Sequence, residues 1–383
     1  MDLPLGRAHV SATSPLVLVF AGTRPEAIKV APVVRAFGAQ THWCAEIVNS
    51  GQHALAVRST LAELGLQADV ELAALPALPN LATAFDHLRR ELAAVIARRR
   101  PAAVIVQGDT LTAHAAAVAG RESGRLVAHV EAGLRTESVS DPFPEEWFRR
   151  RIARVADLHF APTQRAADNL VGEGIAASRV FHTGNTGIDS LKRVLAEPRI
   201  AQRTEPGTRN RILVTLHRRE NHDSNADVVC RALVRLVEAR PHMRVTFPVH
   251  PNPRVAMPIR RRLGAHPAFD LVAPMAYRDF VFAAVDAALI VSDSGGIQEE
   301  APHLGTPLLV PRSNTERPEA IATGFVALVP IDAAAIVAAA CAALDAPRRA
   351  PLPIDAAAPF GAGDAGDRIA RIVAESIAQR VSA

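Results

Sequence analysis

The sequence is poor in cysteine, in net charge and in long apolar runs, and each shortage excludes a class of protein. Its 383 residues include three cysteines, Cys44, Cys230 and Cys341, which lie far apart and form no CxxC pair. This spacing supports neither a disulfide framework nor a cysteine-based zinc site, and it favours a reducing compartment. Lysine and arginine number 43 against 39 acidic residues, and a net charge of +4 is too small to predict nucleic-acid binding.

The apolar runs are too short for a membrane. The first, Leu16–Phe20, has five residues, fewer than the core of a signal peptide or a bilayer span requires. About half of the residues are apolar (49%) and 21% are charged, as in an ordinary globular protein. We therefore expect a cytoplasmic protein of two or three domains that uses neither a membrane nor a nucleic acid as its partner.

Short runs of valine, isoleucine and leucine recur along the chain, each followed by a helix-like stretch. The strand-like runs are Leu16–Phe20, Val104–Val106, Leu126–Val130, Ile212–Thr215, Arg244–Pro248, Ala287–Val291 and Pro307–Val310. Fully apolar short strands that alternate with helices predict an α/β fold with parallel sheets rather than a β-sandwich.

The strand–helix pattern restarts after a polar stretch at 197–209, which reads as a linker. We expect an N-terminal Rossmann-like domain at 1–195 and a second Rossmann-like domain at 196–363. A last amphipathic helix, predicted over Asp367–Arg380, falls in a closing segment at 364–383.

The first strand leads into the string GTRPEAIK, which has the signs of a helix start. Thr23 and Glu26 form a capping-box pattern, and Pro25 suits the first turn. Arg24 and Lys29 add positive charge beside the unpaired N–H groups, so a phosphate would suit this corner. A helix start whose cations face solvent explains the segment equally well.

A second strand-to-helix junction carries Ser294, Gly295 and Gly296, followed by the acidic pair Glu299 and Glu300. Adjacent glycines let a ligand approach the backbone closely, and a helix N-terminus favours phosphate. Glu300, one turn later, is placed to accept hydrogen bonds from the hydroxyls of a ribose. A tight turn that needs glycine explains the glycines but not the acidic pair.

Four further polar residues follow predicted strands or loops: Asp109, Glu131, Glu145 and His217. In open parallel sheets the carboxyl ends of strands line the ligand crevice, so this repetition indicates a ligand site rather than four unrelated capped turns or surface ion pairs. The carboxylates and histidines show neither an i,i+4 histidine pair nor an Asp-x-Asp cluster, and we predict no metal site.

The chain carries, in order, the strings GTRPEAIK, QGDT, HVEAGLRT, PFPEE, GNTGID, HRREN, PVHPNP, DSGGIQEEAP and TERPEA. With them it resembles the non-hydrolysing UDP-N-acetylglucosamine 2-epimerases from about Leu16 to Gly366. The resemblance implies the GT-B fold, in which a nucleotide sugar binds in the cleft between two Rossmann-like domains and a C-terminal helix returns to the first domain.

The resemblance also implies a reaction. The family inverts C2 of UDP-GlcNAc to give UDP-ManNAc, by eliminating UDP and adding it back through a 2-acetamidoglucal. By resemblance, Asp109, Glu131, Glu145 and His217 are catalytic. The residues that match ligand contacts are Arg24, Lys29, Met275, Phe280, Ser294, Gly295, Gly296, Glu300 and Arg317. The resemblance implies no cofactor, and it implies that the protein forms a homodimer.

Other functions stay open. A hydrolysing epimerase would release ManNAc, a related enzyme would act on another 2-acetamido sugar nucleotide, and a repurposed cleft would only bind UDP-sugars. A glycosyltransferase fits the carboxylates and histidine less well. The turn after the first strand is not GxGxxG, which argues against a nicotinamide enzyme. Relatives read Gln-His-Arg-x-Met where this chain has 52–56, Gln-His-Ala-Leu-Ala, so we expect no strong activation by a second UDP-GlcNAc.

Overall fold

The computed structural model describes residues 14–40, 42–136, 138, 142–201, 209–216, 224–249, 253–355 and 358–382. The chain divides into two compact units. The larger comprises Met1–Lys192 and Asp355–Ala383, and the smaller comprises Arg193–Ile354. Each unit contains one sheet whose strands all pair in parallel, which confirms the predicted α/β fold.

The sheet of the larger unit has the strand order β3-β2-β1-β4-β5-β6-β7. Its strands are β1 (Leu16–Ala21), β2 (Cys44–Asn49), β3 (Val70–Glu71), β4 (Ala103–Gln107), β5 (Leu126–Val130), β6 (Leu158–Ala161) and β7 (Val180–His182). The helices described with it are α1 (Arg24–Gly38), α2 (Ala54–Glu63), α3 (Leu81–Arg99), α4 (Leu111–Glu122), α5 (Glu145–Val155), α6 (Gln164–Gly172), α7 (Thr186–Leu195) and, much later in the chain, α15 (Ala365–Ser382).

Helices cover both faces of this sheet, which explains why its strands are apolar at nearly every position. One face packs against α1 and α15, with Phe37, Ile369 and Val373 in the shared core. The other face packs against α3, α4 and α5, with Leu92 and Ile152 among the buried residues. The closing helix is therefore part of the core of the larger unit.

The smaller unit repeats the architecture with the order β10-β9-β8-β11-β12-β13. Its strands are β8 (Arg211–Thr215), β9 (Arg244–Pro248), β10 (Phe269–Val272), β11 (Leu289–Ser292), β12 (Leu308–Pro311) and β13 (Val326–Val329). Its described helices are α8 (Pro198–Ala201), α9 (Ser224–Ala239), α10 (Pro253–Leu263), α11 (Tyr277–Asp286), α12 (Gly295–Leu304), α13 (Pro318–Ala322) and α14 (Ala333–Asp345).

All seven predicted strands are present within two residues of their expected ends. The largest shift is at β11, which begins at Leu289 rather than Ala287 because α11 continues to Asp286. The stretch 197–209, predicted as a linker, contains the short helix α8, and residues 202–208 lie outside the described ranges. Across the described residues, no helix is long and apolar enough to cross a membrane.

Candidate active site

In the larger unit, two of the candidate catalytic residues lie at the carboxyl edge of the sheet. From β1 the chain continues to β2 and β3 on one side and then crosses to β4 on the other side, so the topological switch point lies between β1 and β4, where open α/β sheets bind ligands. Asp109 follows β4 by two residues and Glu131 follows β5 directly. Since β4 and β5 pair in register, both carboxylates belong to the same edge.

Glu131 is held by two donors from neighbouring elements. Lys29, one turn inside α1, forms an ion pair with Oε2 of Glu131, and both side chains are largely buried. Nε2 of Gln107, the last residue of β4, donates to the same oxygen over 2.9 Å. The backbone of Glu131 has φ = 63°, a left-handed conformation that non-glycine residues adopt rarely and that is typical of functional sites. Lys29 therefore does not face solvent, as one interpretation of the sequence allowed.

Asp109 is oriented through both its side chain and the preceding residue. Nη2 of Arg149 lies 2.5 Å from Oδ2 of Asp109, and Nη1 of the same guanidinium donates to the buried Glu146 over 3.0 Å. Gly108, with φ = 71°, accepts at its carbonyl from the ring of His129 over 2.8 Å. The carboxylate of Asp109 keeps about a quarter of its surface exposed (27%), so a ligand can still reach it.

Glu145 and Glu146 head helix α5 but differ in environment. Glu146 is fully buried and accepts from the backbone N–H of Thr136 and from Arg150 as well as from Arg149. Glu145 is half-buried at the first position of the helix. It lies one turn before Arg149, hence on the same helix face, which is the face that reaches Asp109.

The start of α1 already holds an anion of its own. Glu26 is buried, and its carboxylate accepts from the N–H of Gly22 over 3.0 Å and from the hydroxyls of Thr23 and Thr110 over 2.8 and 2.7 Å. Burial raises the pKa of Glu26 to about 7, although these donors lower it. Thr23 is the N-cap residue and Pro25 lies in the first turn, as predicted. The carboxylate of Glu26 therefore lies at the start of α1, next to the corner where the sequence predicts a phosphate.

The smaller unit has the same kind of edge between β8 and β11. The hydroxyls of Thr215 and Ser292, at the ends of these paired strands, are 2.7 Å apart, and the N–H of Ser294 donates to Ser292 over 3.1 Å. Ser294 is the N-cap residue of α12, which begins with Gly295. His217, the predicted catalytic histidine after β8, lies outside the described residues.

The glycines at the start of α12 are not equivalent. A Cβ atom on Gly295 would lie 2.5 Å from Nη1 of Arg317, whereas on Gly296 its nearest neighbour would be Oγ of Ser294, 4.0 Å away. The guanidinium of Arg317 lies 2.5 Å from Glu299 and 2.6 Å from Glu316, and all three side chains are buried. A side chain at position 295 would therefore displace the buried guanidinium of Arg317, whereas a Cβ atom on Gly296 would meet no atom closer than 4.0 Å.

The remaining ligand-binding predictions lie around α11. The hydroxyl of Tyr277 donates to Oε1 of Glu300 over 2.7 Å, in a buried contact that fixes this carboxylate. Phe280 is buried on α11. Met275, just before that helix, is half-buried and lines a cavity of about 300 Å³ together with Arg211 and others. Within the described ranges, no group of three or more His, Cys, Asp or Glu side chains is arranged to hold a metal ion.

Comparison with known proteins identifies the family. The model of the family described as UDP-N-acetylglucosamine 2-epimerase matches residues 35–374. The chain belongs to the UDP-N-acetylglucosamine 2-epimerase family. The UDP-N-acetylglucosamine 2-epimerase of Salmonella typhimurium is 40% identical over 332 residues, which cover 84% of this chain and 88% of that protein.

Solved epimerase structures share the fold as well as the sequence. The UDP-GlcNAc 2-epimerase from Neisseria meningitidis, crystallised with UDP-GlcNAc, superimposes with a TM-score of 0.85 at 33% identity and covers 95% of this chain and 100% of its own. The enzyme from Methanocaldococcus jannaschii, in complex with UDP-GlcNAc and UDP, gives 0.82 at 30% identity, with 94% and 99% covered. The two parallel-sheet units of this family member are thus those of a GT-B-like epimerase fold.

The sequence did not indicate several contacts at these edges. Gln107 belongs to the string QGDT, which gives no sign that its side chain donates to Glu131, and none of the recognised strings contains Arg149. Tyr277, the partner of Glu300, was not singled out at all. The spacing of Glu145 and Arg149 on one helix face was a usable signal; the pairing of Tyr277 with Glu300, 23 residues apart, has no local sequence signal.

Proposed function

We propose that this protein interconverts UDP-GlcNAc and UDP-ManNAc by inverting C2 of the sugar. The observation that carries the proposal is the pair of carboxylates, Asp109 and Glu131, at neighbouring strand ends beside the switch point, in a chain of the epimerase family. A C2 epimerisation requires proton removal on one face and proton return on the other, so it needs two proton-transfer groups rather than one.

The proposed mechanism is elimination and re-addition. A carboxylate removes the C2 proton, the electron pair of the C2–H bond forms the C1–C2 double bond, and the C1–O bond breaks to release UDP. The resulting 2-acetamidoglucal then receives a proton at C2 on its other face while UDP adds back to C1. No electrons are gained or lost overall, and the reaction is an isomerisation that needs no redox cofactor.

Different residues are the candidates for proton transfer, for diphosphate binding and for ribose binding. Asp109, Glu131 and Glu145, with His217 outside the described ranges, are the proton-transfer candidates. The start of α12, with Gly296 open in front of it, is the candidate cradle for the diphosphate, since a helix N-terminus favours phosphate. Glu300, oriented by Tyr277, is the candidate acceptor for ribose hydroxyls.

The test is turnover of UDP-GlcNAc by the pure protein in heavy water, with products separated and read by NMR. We expect UDP-ManNAc with deuterium at C2, because the removed proton exchanges with solvent. Free ManNAc and UDP would establish the hydrolysing alternative. Tight binding of UDP without turnover would establish the non-catalytic one, and protium kept at C2 would contradict elimination.

The second proposal concerns regulation. The carbonyl oxygen of Gln52 accepts from both the N–H and the hydroxyl of Thr112, in the first turn of α4. The Gln52 side chain thus forms hydrogen bonds within the larger unit. The next positions, Ala54 and Leu55, have no polar side-chain atoms with which to bind a second UDP-GlcNAc. We expect UDP-ManNAc to turn over promptly without added UDP-GlcNAc; a lag that a trace of UDP-GlcNAc abolishes would contradict this.

The homodimer and the cytoplasmic location stay predictions. Light scattering of the pure protein tests the first of them.

A further inference from the structure

The turn that carries Asp109 is held to β5 through both polar backbone atoms of one residue, Gly108. The N–H of Gly108 donates to the carbonyl of Val130 over 3.0 Å. The carbonyl of Gly108 accepts from Nε2 of His129 over 2.8 Å. His129 lies in the middle of the sheet, opposite Val106 in register, and only 1% of its surface is exposed.

The chemistry of His129 suits it to this task. A carbonyl can only accept, so the ring carries its proton on Nε2, and the tautomer is fixed by the contact. Burial lowers the pKa of His129 to about 4, so the ring is a neutral donor throughout the physiological range. It therefore holds the Gly108 carbonyl without adding a charge next to Asp109.

The direction of that carbonyl decides where Asp109 points. Gly108 has φ = 71°, in the left-handed region, and the plane of the peptide between Gly108 and Asp109 turns with its carbonyl. Arg149 holds the Asp109 carboxylate from the side of α5. With His129 absent, the peptide plane loses its partner on the β5 side, and the carboxylate is left with the Arg149 contact.

We propose that His129 is the positioning residue for Asp109: its Nε2–H fixes the Gly108 carbonyl and thereby aims the Asp109 carboxylate at the reacting sugar. This inference rests on the proposed function. His129 itself touches no substrate and transfers no proton.

The chain offers a matched control. His159 lies on β6 in register with His129 and is likewise fully buried, and burial lowers its pKa to about 3. Within the described part of the chain, no hydrogen bond joins His159 to the Gly108–Asp109 turn. Replacing either histidine with leucine removes a buried ring from the same sheet face, but only His129→Leu removes the donor to Gly108.

The experiment compares His129→Gln, His129→Leu and His159→Leu in the full chain. The amide nitrogen of glutamine can occupy the position of Nε2, so we expect His129→Gln to keep at least a third of the wild-type kcat. We expect His129→Leu to lower kcat by about 30- to 100-fold, as for other misplaced catalytic groups, with KM changed less than about threefold. His159→Leu should keep kcat within about threefold of wild type, whatever stability it loses.

Wild-type kcat in His129→Leu would overturn the inference, and so would an equal loss of kcat in His159→Leu. If His129→Leu does not fold, His129→Asn replaces it, because its amide nitrogen reaches only the δ position; equal kcat in the asparagine and glutamine variants would also overturn the inference.

The wild-type assay with UDP-GlcNAc comes first, and inactivity there counts against the proposed function alone. A crystal structure of the leucine or asparagine variant then decides the positioning claim by itself. A reoriented Gly108 carbonyl supports it, and an unchanged turn with Asp109 still on Arg149 refutes it.

Discussion

Helices α1 and α12 both begin at a strand end beside a switch point, yet the acidic side chains near their N-termini have opposite orientations. In α1 the third residue, Glu26, folds back onto the donors of Gly22 and Thr23. In α12 the two acidic side chains of the first turns point elsewhere: Glu299 pairs with Arg317 and Glu300 accepts from Tyr277.

The difference shows how a helix N-terminus is kept available for a ligand. A carboxylate three residues into a helix satisfies the free N–H groups and cancels part of the positive end of the dipole. A helix that must bind phosphate needs its nearby carboxylates to be directed away and its first residues to be small. In α12 the second residue is Gly296, and Glu299 and Glu300 have partners on other elements, whereas in α1 the carboxylate of Glu26 lies at the helix N-terminus itself.

Substitution of Gly295 and Gly296, the first two residues of α12, should have the largest effects. Gly295→Ala places a Cβ against the guanidinium of Arg317, and we expect a loss of about 3 kcal/mol in the free energy of unfolding because a buried ion pair is disturbed. Gly296→Ala meets no close neighbour and should keep its stability while UDP affinity falls about tenfold or more. Urea unfolding and calorimetry with UDP measure the two effects. A Gly295→Ala variant as stable as wild type would contradict the account of Arg317.

Glu26→Gln should change how stability depends on pH. The pKa of Glu26 is raised by burial from 4.5 to about 7, so between these values the folded chain keeps a proton that the unfolded chain has lost. Ionised Glu26 thus costs stability as pH rises, and the cost is absent below pH 4.5 and complete above about 7. We expect the stability difference, variant minus wild type, to rise by about 2–3 kcal/mol from pH 5 to 8.

Comparison with wild type is needed because other buried groups titrate in the same range. Burial lowers the pKa of His114 and His129 to about 4 and that of His159 to about 3, which makes the folded state more stable as pH rises to 6.5. Burial raises the pKa of Asp189 to about 6, with the opposite sign. These contributions cancel in the difference, so a difference that does not change with pH would rule out a raised pKa for Glu26.

Lys29→Met should lower kcat by about 30-fold, about 2 kcal/mol, because a charge-assisted contact to Glu131 is lost. Here α1 contributes to the site through a side chain one turn inside the helix rather than through its N-terminus. Lys192→Met is the control, since that exposed lysine donates only to the carbonyl of Ala362 among described contacts. Equal kcat in the two variants would show that Lys29 has no role in the site.

Tyr277→Phe should have the smallest effect. It removes one hydrogen bond to Glu300, worth about 1 kcal/mol, and should raise the Kd for UDP about fivefold without changing protein stability by more than that amount. Calorimetry with UDP and with uracil, which lacks both the ribose and the diphosphate, shows whether binding of the base alone is weakened. An equal weakening for both ligands would place Glu300 away from the ribose.

Local patterns predicted most of the fold because they report local physics. Apolar runs such as Leu16–Phe20 became strands covered on both faces, and Thr23, Pro25 and Glu26 marked a helix start that the structure confirms. The same pattern does not predict whether the start of the helix is free to bind a ligand. A capping box predicts that the Glu26 side chain turns back toward the N-terminus, but not how many hydrogen-bond donors it contacts there.

Contacts between distant segments were beyond local patterns. Glycine at 295 was explained as room for a ligand, but in the structure it makes room for Arg317, 22 positions away, and that requires knowing how α12 packs beside the following loop. The left-handed backbone of Glu131 had no sign in the sequence, since glutamate is not a residue that favours it.

The larger unit is interrupted in the chain by the whole of the smaller one, and this has a consequence for biosynthesis. A ribosome that makes the chain completes β7 about 180 residues before it reaches Ala365, the start of α15. Until then the sheet face that α15 covers, next to α1, stays uncovered at positions that Ile369 and Val373 later fill. The smaller unit, which is continuous in the chain, can be completed first although it begins second. Nascent chains stalled before and after α15 should therefore differ in protease resistance in the larger unit and not in the smaller.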